Sequence, residues 1–235
     1  MYFRYLPKDS IYTIHRKDCF SQILYRGFLW YIMPSASLCI VAIAILLLLF
    51  YVTTLEPVQV KSDLDKRYYD VVDDFGRQKQ AANLLAEINR FNQTLIKNLK
   101  EKYGDSGDPF ISGLVDRLVV RYRRESLTEN LPDGKHDTSY VLNKGKTLSL
   151  CLRHLPHDGD RFIDWNTLQF VNLHELSHVA TENHGHDRTF WKTFKFLLTE
   201  AKDQGLYNPV DYSEEPIRYC SLPLKKNPFF VDIPA

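Results

Sequence analysis

Cysteine is scarce in this chain, with four residues in 235, at Cys19, Cys39, Cys151 and Cys220. No CxxC or CxxxC pattern occurs, which argues against a thiolate-based structural zinc site. Cys19 and Cys39 lie ahead of or within an apolar run. Cys151 and Cys220 are therefore the pair available inside a folded domain, bonded or not according to the redox compartment. Excess charge of either sign is missing too. Thirty Lys and Arg face 29 Asp and Glu, for a formal net charge of +1. The global positive field of a nucleic-acid binder is absent, and no nucleic-acid partner is predicted. A composition of 44% hydrophobic and 25% charged residues is otherwise that of an ordinary globular chain, and one folded domain is expected.

Charge is locally absent as well. From Gly27 to Leu55 there is no Asp, Glu, Lys or Arg, and Leu38 to Val52 is almost wholly aliphatic. About 20 residues suffice to cross a bilayer's hydrocarbon core, so residues 28–55 are expected to form a transmembrane anchor. No small-x-small cleavage site follows Tyr51, which disfavours a signal peptide. Arg4, Lys8, Arg16, Lys17 and Arg26 precede the run, and an acidic-leaning stretch from Glu56 to Asp74 follows it. That contrast predicts a cytosolic tail at 1–27 and a lumenal or exterior domain. Residues 56–65 read as a linker, 66–228 as the domain and 229–235 as a tail.

Proline and glycine are absent from Asp164 to Thr181, and this stretch carries the chemistry. Asp164 stands at an N-cap position, and Trp165, Leu168, Val171 and Val179 fall at near-helical spacing. Within it lies His174-Glu175-Leu176-Ser177-His178. Residues four apart share one helix face, so two imidazoles converge on one ion, which is zinc geometry. Glu175, one step round the helix, is placed as a general base rather than a ligand. Two buried core histidines would be the bland alternative, and the helical context weighs against it.

A catalytic zinc needs three protein ligands and one open position. Spacing favours His184, six residues after His178. The flanking residues favour His186, because Gly185 can end the turn and release the chain into Asp187-Arg188-Thr189-Phe190-Trp191 and a new helix. Of the two, His186 is preferred.

Elsewhere, a strand is expected over Tyr68–Val72, a long amphipathic helix over Arg77–Tyr103 and a second helix over Phe110–Arg123. Arg117, Arg121 and Arg124 on that second helix read as a solvated basic face. Ser139–Leu142 and Thr147–Leu152 flank Asn143-Lys144-Gly145-Lys146 as a hairpin. His154, His157, Asp158 and Asp160 read as a polar surface loop rather than a second metal site. Beyond Pro209 the chain reads as extended and proline-rich. Tyr212 and Tyr219 are both candidates to stabilise an oxyanion.

HELSH, a Gly-His step and the Phe190-Trp191 helix start together resemble the WLM and SprT-like group of small zinc metallopeptidases, in particular the membrane-anchored versions of large DNA viruses. The likeness extends to Thr138–Gly145, Leu150–Arg153, Pro209–Tyr212 and Tyr219-Cys220, over roughly residues 66 to 228. It implies an α+β, zincin-like fold, with the active-site helix beside a small, mostly antiparallel sheet. Thr147–Leu152 would be the strand whose exposed edge takes a peptide. The resemblance also implies Zn²⁺ held by His174, His178 and His186, with Glu175 as base and a protein or peptide as substrate. Better-known members place the third His six residues after the second, whereas His186 lies eight after His178. The alternative function is a catalytically silent, zinc-binding, membrane-anchored interaction or virion-surface protein, against which the intact Glu175 argues.

Overall fold

The hairpin around Asn143 shows how short-range chemistry sets the fold. Asn143 and Lys144 both adopt left-handed backbone, with φ of 48° and 56°. This turn joins β4 (Tyr140–Leu142) to β5 (Thr147–Leu150) in antiparallel register, with Leu142 opposite Thr147. Gly145 is required by space as well as by its φ of 107°, since a Cβ there would lie 2.8 Å from the Arg121 carbonyl oxygen.

The computed structural model describes residues 36–53, 57–73, 76–130, 138–154 and 161–231. They fall into two units. One contains helix α1 (Ala36–Thr53), and the other contains everything described from residue 57 onward.

The larger unit is α+β. Its five-stranded sheet has the order β1-β2-β3-β5-β4, where β1 is Val58–Lys61, β2 is Tyr68–Val71 and β3 is Leu127–Glu129. The outer pairs β1/β2 and β4/β5 are antiparallel, while β2/β3 and β3/β5 are parallel. The sheet is thus mixed rather than mostly antiparallel. Parallel pairing requires crossovers, and the two long helices of the first half supply the one between β2 and β3. These are α2 (Gln78–Tyr103) and α3 (Pro109–Arg121), the latter capped by Asp108 through the backbone N–H groups of Phe110 and Ile111. Residues 56–65, read above as a linker, contain β1.

α4 (Trp165–Ala180) contacts α3, α5 (Arg188–Asp203), β4 and β5. It is buried on nearly every side, which explains why its apolar residues show no single stripe. The core comprises Leu85, Leu95 and Leu99 of α2, Leu114 and Leu118 of α3, Leu168 and Leu176 of α4, and Phe194 and Leu198 of α5. A C-terminal hairpin, β6 (Ile217–Tyr219) with β7 (Leu222–Leu224), replaces the extended tail expected there. A disulfide between Cys151 and Cys220 fixes it to the end of β5.

Beyond the end of β5, Arg153 donates to both carboxylate oxygens of Glu129, the last residue of β3, at 2.7 and 2.9 Å, with both side chains almost fully buried. Glu129 also accepts from the Val72 N–H at 3.0 Å, so one carboxylate joins three chain segments.

The expected membrane placement is overturned. Among the described residues no helix is long and apolar enough to cross a membrane. The single-pass anchor at 28–55, with its cytosolic tail and lumenal domain, is withdrawn. The tail 1–27, residues 28–35 and 54–55 of the expected anchor, and the loop residues His157, Asp158 and Asp160 lie outside the described residues.

Candidate metal centre

α4 starts where its sequence dictates. The Asp164 carboxylate accepts from the Thr167 N–H at 2.9 Å, fixing the helix phase that brings His174 and His178 to one face. At the other end Ser177 and Val179–Thr181 lead into a turn, Gly185 takes a φ of 109°, and the chain doubles back. Asp187 then caps α5 through the Phe190 N–H at 2.8 Å and accepts from the Asn183 amide at 2.6 Å. This double engagement sets the loop that carries His186.

The three imidazoles meet. His186 Nε2 lies 3.0 Å from His174 Nε2 and 3.2 Å from His178 Nε2. Two nitrogens bound at zinc's usual distance in a tetrahedral site stand about 3.3 Å apart, close to these two separations, and all three ligand atoms lie within 4.8 Å of one another, so the set could hold such an ion. His174, His178 and His186 form the one potential metal-holding cluster among the described residues. His184, the rival third ligand, is exposed and outside the cluster.

Burial suits these side chains to a cation. It drives the His174 pKa well below its ordinary value, with the neighbouring His178 and His186 adding to the effect. Burial, then the proximity of His186, pushes His178 down to about 3, and burial pushes His186 to about 4. All three are neutral near pH 7, the state in which an imidazole ligates a metal. Phe190 packs against all three rings at centroid distances of 4.8, 4.3 and 4.6 Å, and Trp191 covers His186 at 5.6 Å. Glu175 follows His174 on α4 and is 2% exposed.

Several supporting residues escaped the sequence reading. Arg117 and Arg121 do not form a solvated face. Arg117 Nε donates to the Ala180 carbonyl, and Arg121 donates to the carbonyls of Val179 and Thr181 at 3.1 and 3.0 Å and to the Glu182 carboxylate. These cations neutralise the negative end of α4 just where the metal loop begins. Tyr219 is also structural. Its hydroxyl donates to the Cys151 carbonyl at 2.8 Å and pairs with Ser139 Oγ at 2.7 Å, tying the C-terminal hairpin to β5. Tyr212 is buried edge-on against Phe170, with ring centroids 5.0 Å apart. The sheet order also moves the expected substrate edge. β5 is sandwiched between β3 and β4, and the free edge on that side of the sheet belongs to β4.

A model of the WLM domain matches residues 119–212, which span all three histidines and Glu175. An uncharacterized protein of Acanthamoeba polyphaga mimivirus is 33% identical over 194 residues, covering 82% of this chain and 94% of that protein. The chain belongs to the WLM family. A further relative, an uncharacterized protein of Invertebrate iridescent virus 3, is 32% identical over 151 residues, 63% of this chain and 84% of the relative. Among solved structures, a mutant of Wss1 from Saccharomyces cerevisiae is similar at a TM-score of 0.42 and 20% identity, over 58% of this chain and 92% of that one. WLM domains are in general zinc-dependent metalloproteases, and this one presents a histidine cluster able to hold a metal.

Proposed function

We propose that this WLM protein is a zinc-dependent peptidase built on a zincin-like scaffold, with residues 66–228 supplying the catalytic unit. The observation that carries this reading is the convergence of His174, His178 and His186 beside a buried Glu175 that is not one of the converging groups. His174, His178 and His186 would hold Zn²⁺. When bound, zinc supplies Lewis acidity toward water and the scissile carbonyl.

The chain's own side chains account for the rest. Glu175 accepts the proton of the attacking water and returns it to the leaving amine, which a carboxylate can do without entering the ligand set. Phe190 and Trp191 wall the site against solvent and lock the ligand rotamers. The free edge of β4, Tyr140–Leu142, offers main-chain hydrogen bonds to an extended peptide.

Replacing Glu175 with Gln tests the assignment, because the amide keeps the shape and loses the base. Metal content is expected to stay at the wild-type level, while cleavage of an unfolded protein substrate falls by at least about a hundredfold. Cleavage by Glu175→Gln at the wild-type rate would remove the peptidase reading.

A further inference from the structure

A second concave site lies away from the imidazole cluster. One face of α2 contributes Arg90, Gln93 and Thr94, the β1–β2 connection contributes Asp65 and Arg67, and Arg124 follows α3. Together they line an open surface concavity of about 290 Å³. All but Arg124 precede residues 119–212, so nearly the whole pocket is built outside the matched WLM segment.

Its charges are unbalanced. Arg67 is satisfied in part by Glu125 at 3.4 Å. Asp65, the one carboxylate in the wall, accepts from the Tyr69 hydroxyl at 2.7 Å and the Arg67 N–H at 3.1 Å. Arg90 and Arg124 have no ion-pair partner among the described residues. Three arginines line one concavity, two of them with no ion-pair partner among the described residues, in a chain whose overall charge is only +1, and this makes a local anion trap. Thr94 and Gln93 add neutral hydrogen-bonding groups to the wall.

We infer that this pocket binds a small phosphate-type dianion, either free or as the phosphoryl group of a small metabolite. Planar guanidiniums recognise tetrahedral oxyanions through paired N–H groups, and Arg is the residue suited to that task. The volume accommodates a phosphoryl group with a small organic body. Asp65 and Glu125 at the wall and rim disfavour the continuous phosphates of a nucleic-acid strand, and so does the near-neutral chain.

The test is titration of the full-length protein with inorganic phosphate and with a sugar monophosphate at constant ionic strength. Binding is followed by calorimetry and thermal shift, for wild type, Arg90→Gln and Arg124→Gln. Both positions are exposed, so the variants are expected to fold. Saturable binding that weakens about tenfold or more in each variant supports the site, since each substitution removes one charge-assisted contact. Preference for the sugar phosphate over inorganic phosphate identifies a metabolite, and equal binding identifies the free anion. No saturable binding overturns the proposal. So does binding that survives both substitutions, which places the anion elsewhere, or binding of an oligonucleotide without binding of either small phosphate.

Discussion

Lys144, in the left-handed turn between β4 and β5, donates its ammonium to the carbonyl oxygen of Asn183 at 2.6 Å. The contact reaches across from the sheet to the loop that delivers His186. Asn183 in turn donates to Asp187, the cap of α5. The third imidazole is therefore positioned by a hairpin turn distant in sequence, and Arg117 and Arg121 hold the preceding carbonyls from α3.

That arrangement predicts that Lys144→Ala and Arg121→Ala weaken zinc without touching a ligand. Each lost charge-assisted hydrogen bond costs about 1.5–3 kcal/mol at most, partly offset by water at these semi-exposed sites. A five- to thirtyfold loss of zinc affinity, on the order of 1–2 kcal/mol, is expected by chelator competition, with native far-UV circular dichroism. Unchanged affinity in both variants would show that the loop positions itself.

The histidine cluster predicts a pH dependence of opposite sign to that of a salt-bridged histidine. His174, His178 and His186 have folded pKa values below the unfolded value of about 6.5, so between roughly pH 6.5 and 4 the unfolded chain binds more protons. Their contribution is fully present above pH 6.5 and is lost as pH falls toward the folded values. Metal-free protein is expected to lose about 1 kcal/mol or more of unfolding free energy between pH 7.5 and 5.0. His186→Ala should flatten that slope in urea titrations. A midpoint indifferent to pH would contradict the burial of these rings.

The Glu129–Arg153 pair predicts a large asymmetry. Glu129→Gln removes the carboxylate charge that Arg153, 1% exposed, engages through two hydrogen bonds, and the loss of one partner of a buried pair costs about 3–5 kcal/mol. The joint change Glu129→Leu with Arg153→Met is expected to recover most of it. Equal destabilisation by the single and double variants would mean that the ion pair itself, rather than the cost of a buried guanidinium with one partner fewer, holds the sheet together.

Much of this was legible in local chemistry. Asp164 as a cap, the Asn143-Lys144-Gly145 turn and the stripe of α2 rest on short-range rules, and the structure places each as expected; the preference for His186 rests on the same rules, and His186 is the histidine that joins the cluster able to hold a metal. Long-range pairing was not legible. β3 is three residues long and ends in a charged Glu129, whose burial makes sense only once Arg153 is seen beside it. β6 and β7 turn at Cys220, a non-glycine residue with a φ of 52°, so the usual glycine signal was missing. The basic residues of α3 were misread because a helix's solvent face and a face that caps a neighbouring helix share one composition. The apolar run before residue 56 suggested a bilayer, but among the described residues no helix is long and apolar enough to cross one.

The most direct measurement is zinc stoichiometry by elemental analysis of the dialysed full-length protein, for wild type, His184→Ala and His186→Ala. The account predicts one zinc per chain in wild type and in His184→Ala, and zinc lost or greatly weakened in His186→Ala. Zinc retained by His186→Ala and lost by His184→Ala would contradict the geometry of the centre, and a wild-type protein that holds no zinc would contradict the account as a whole.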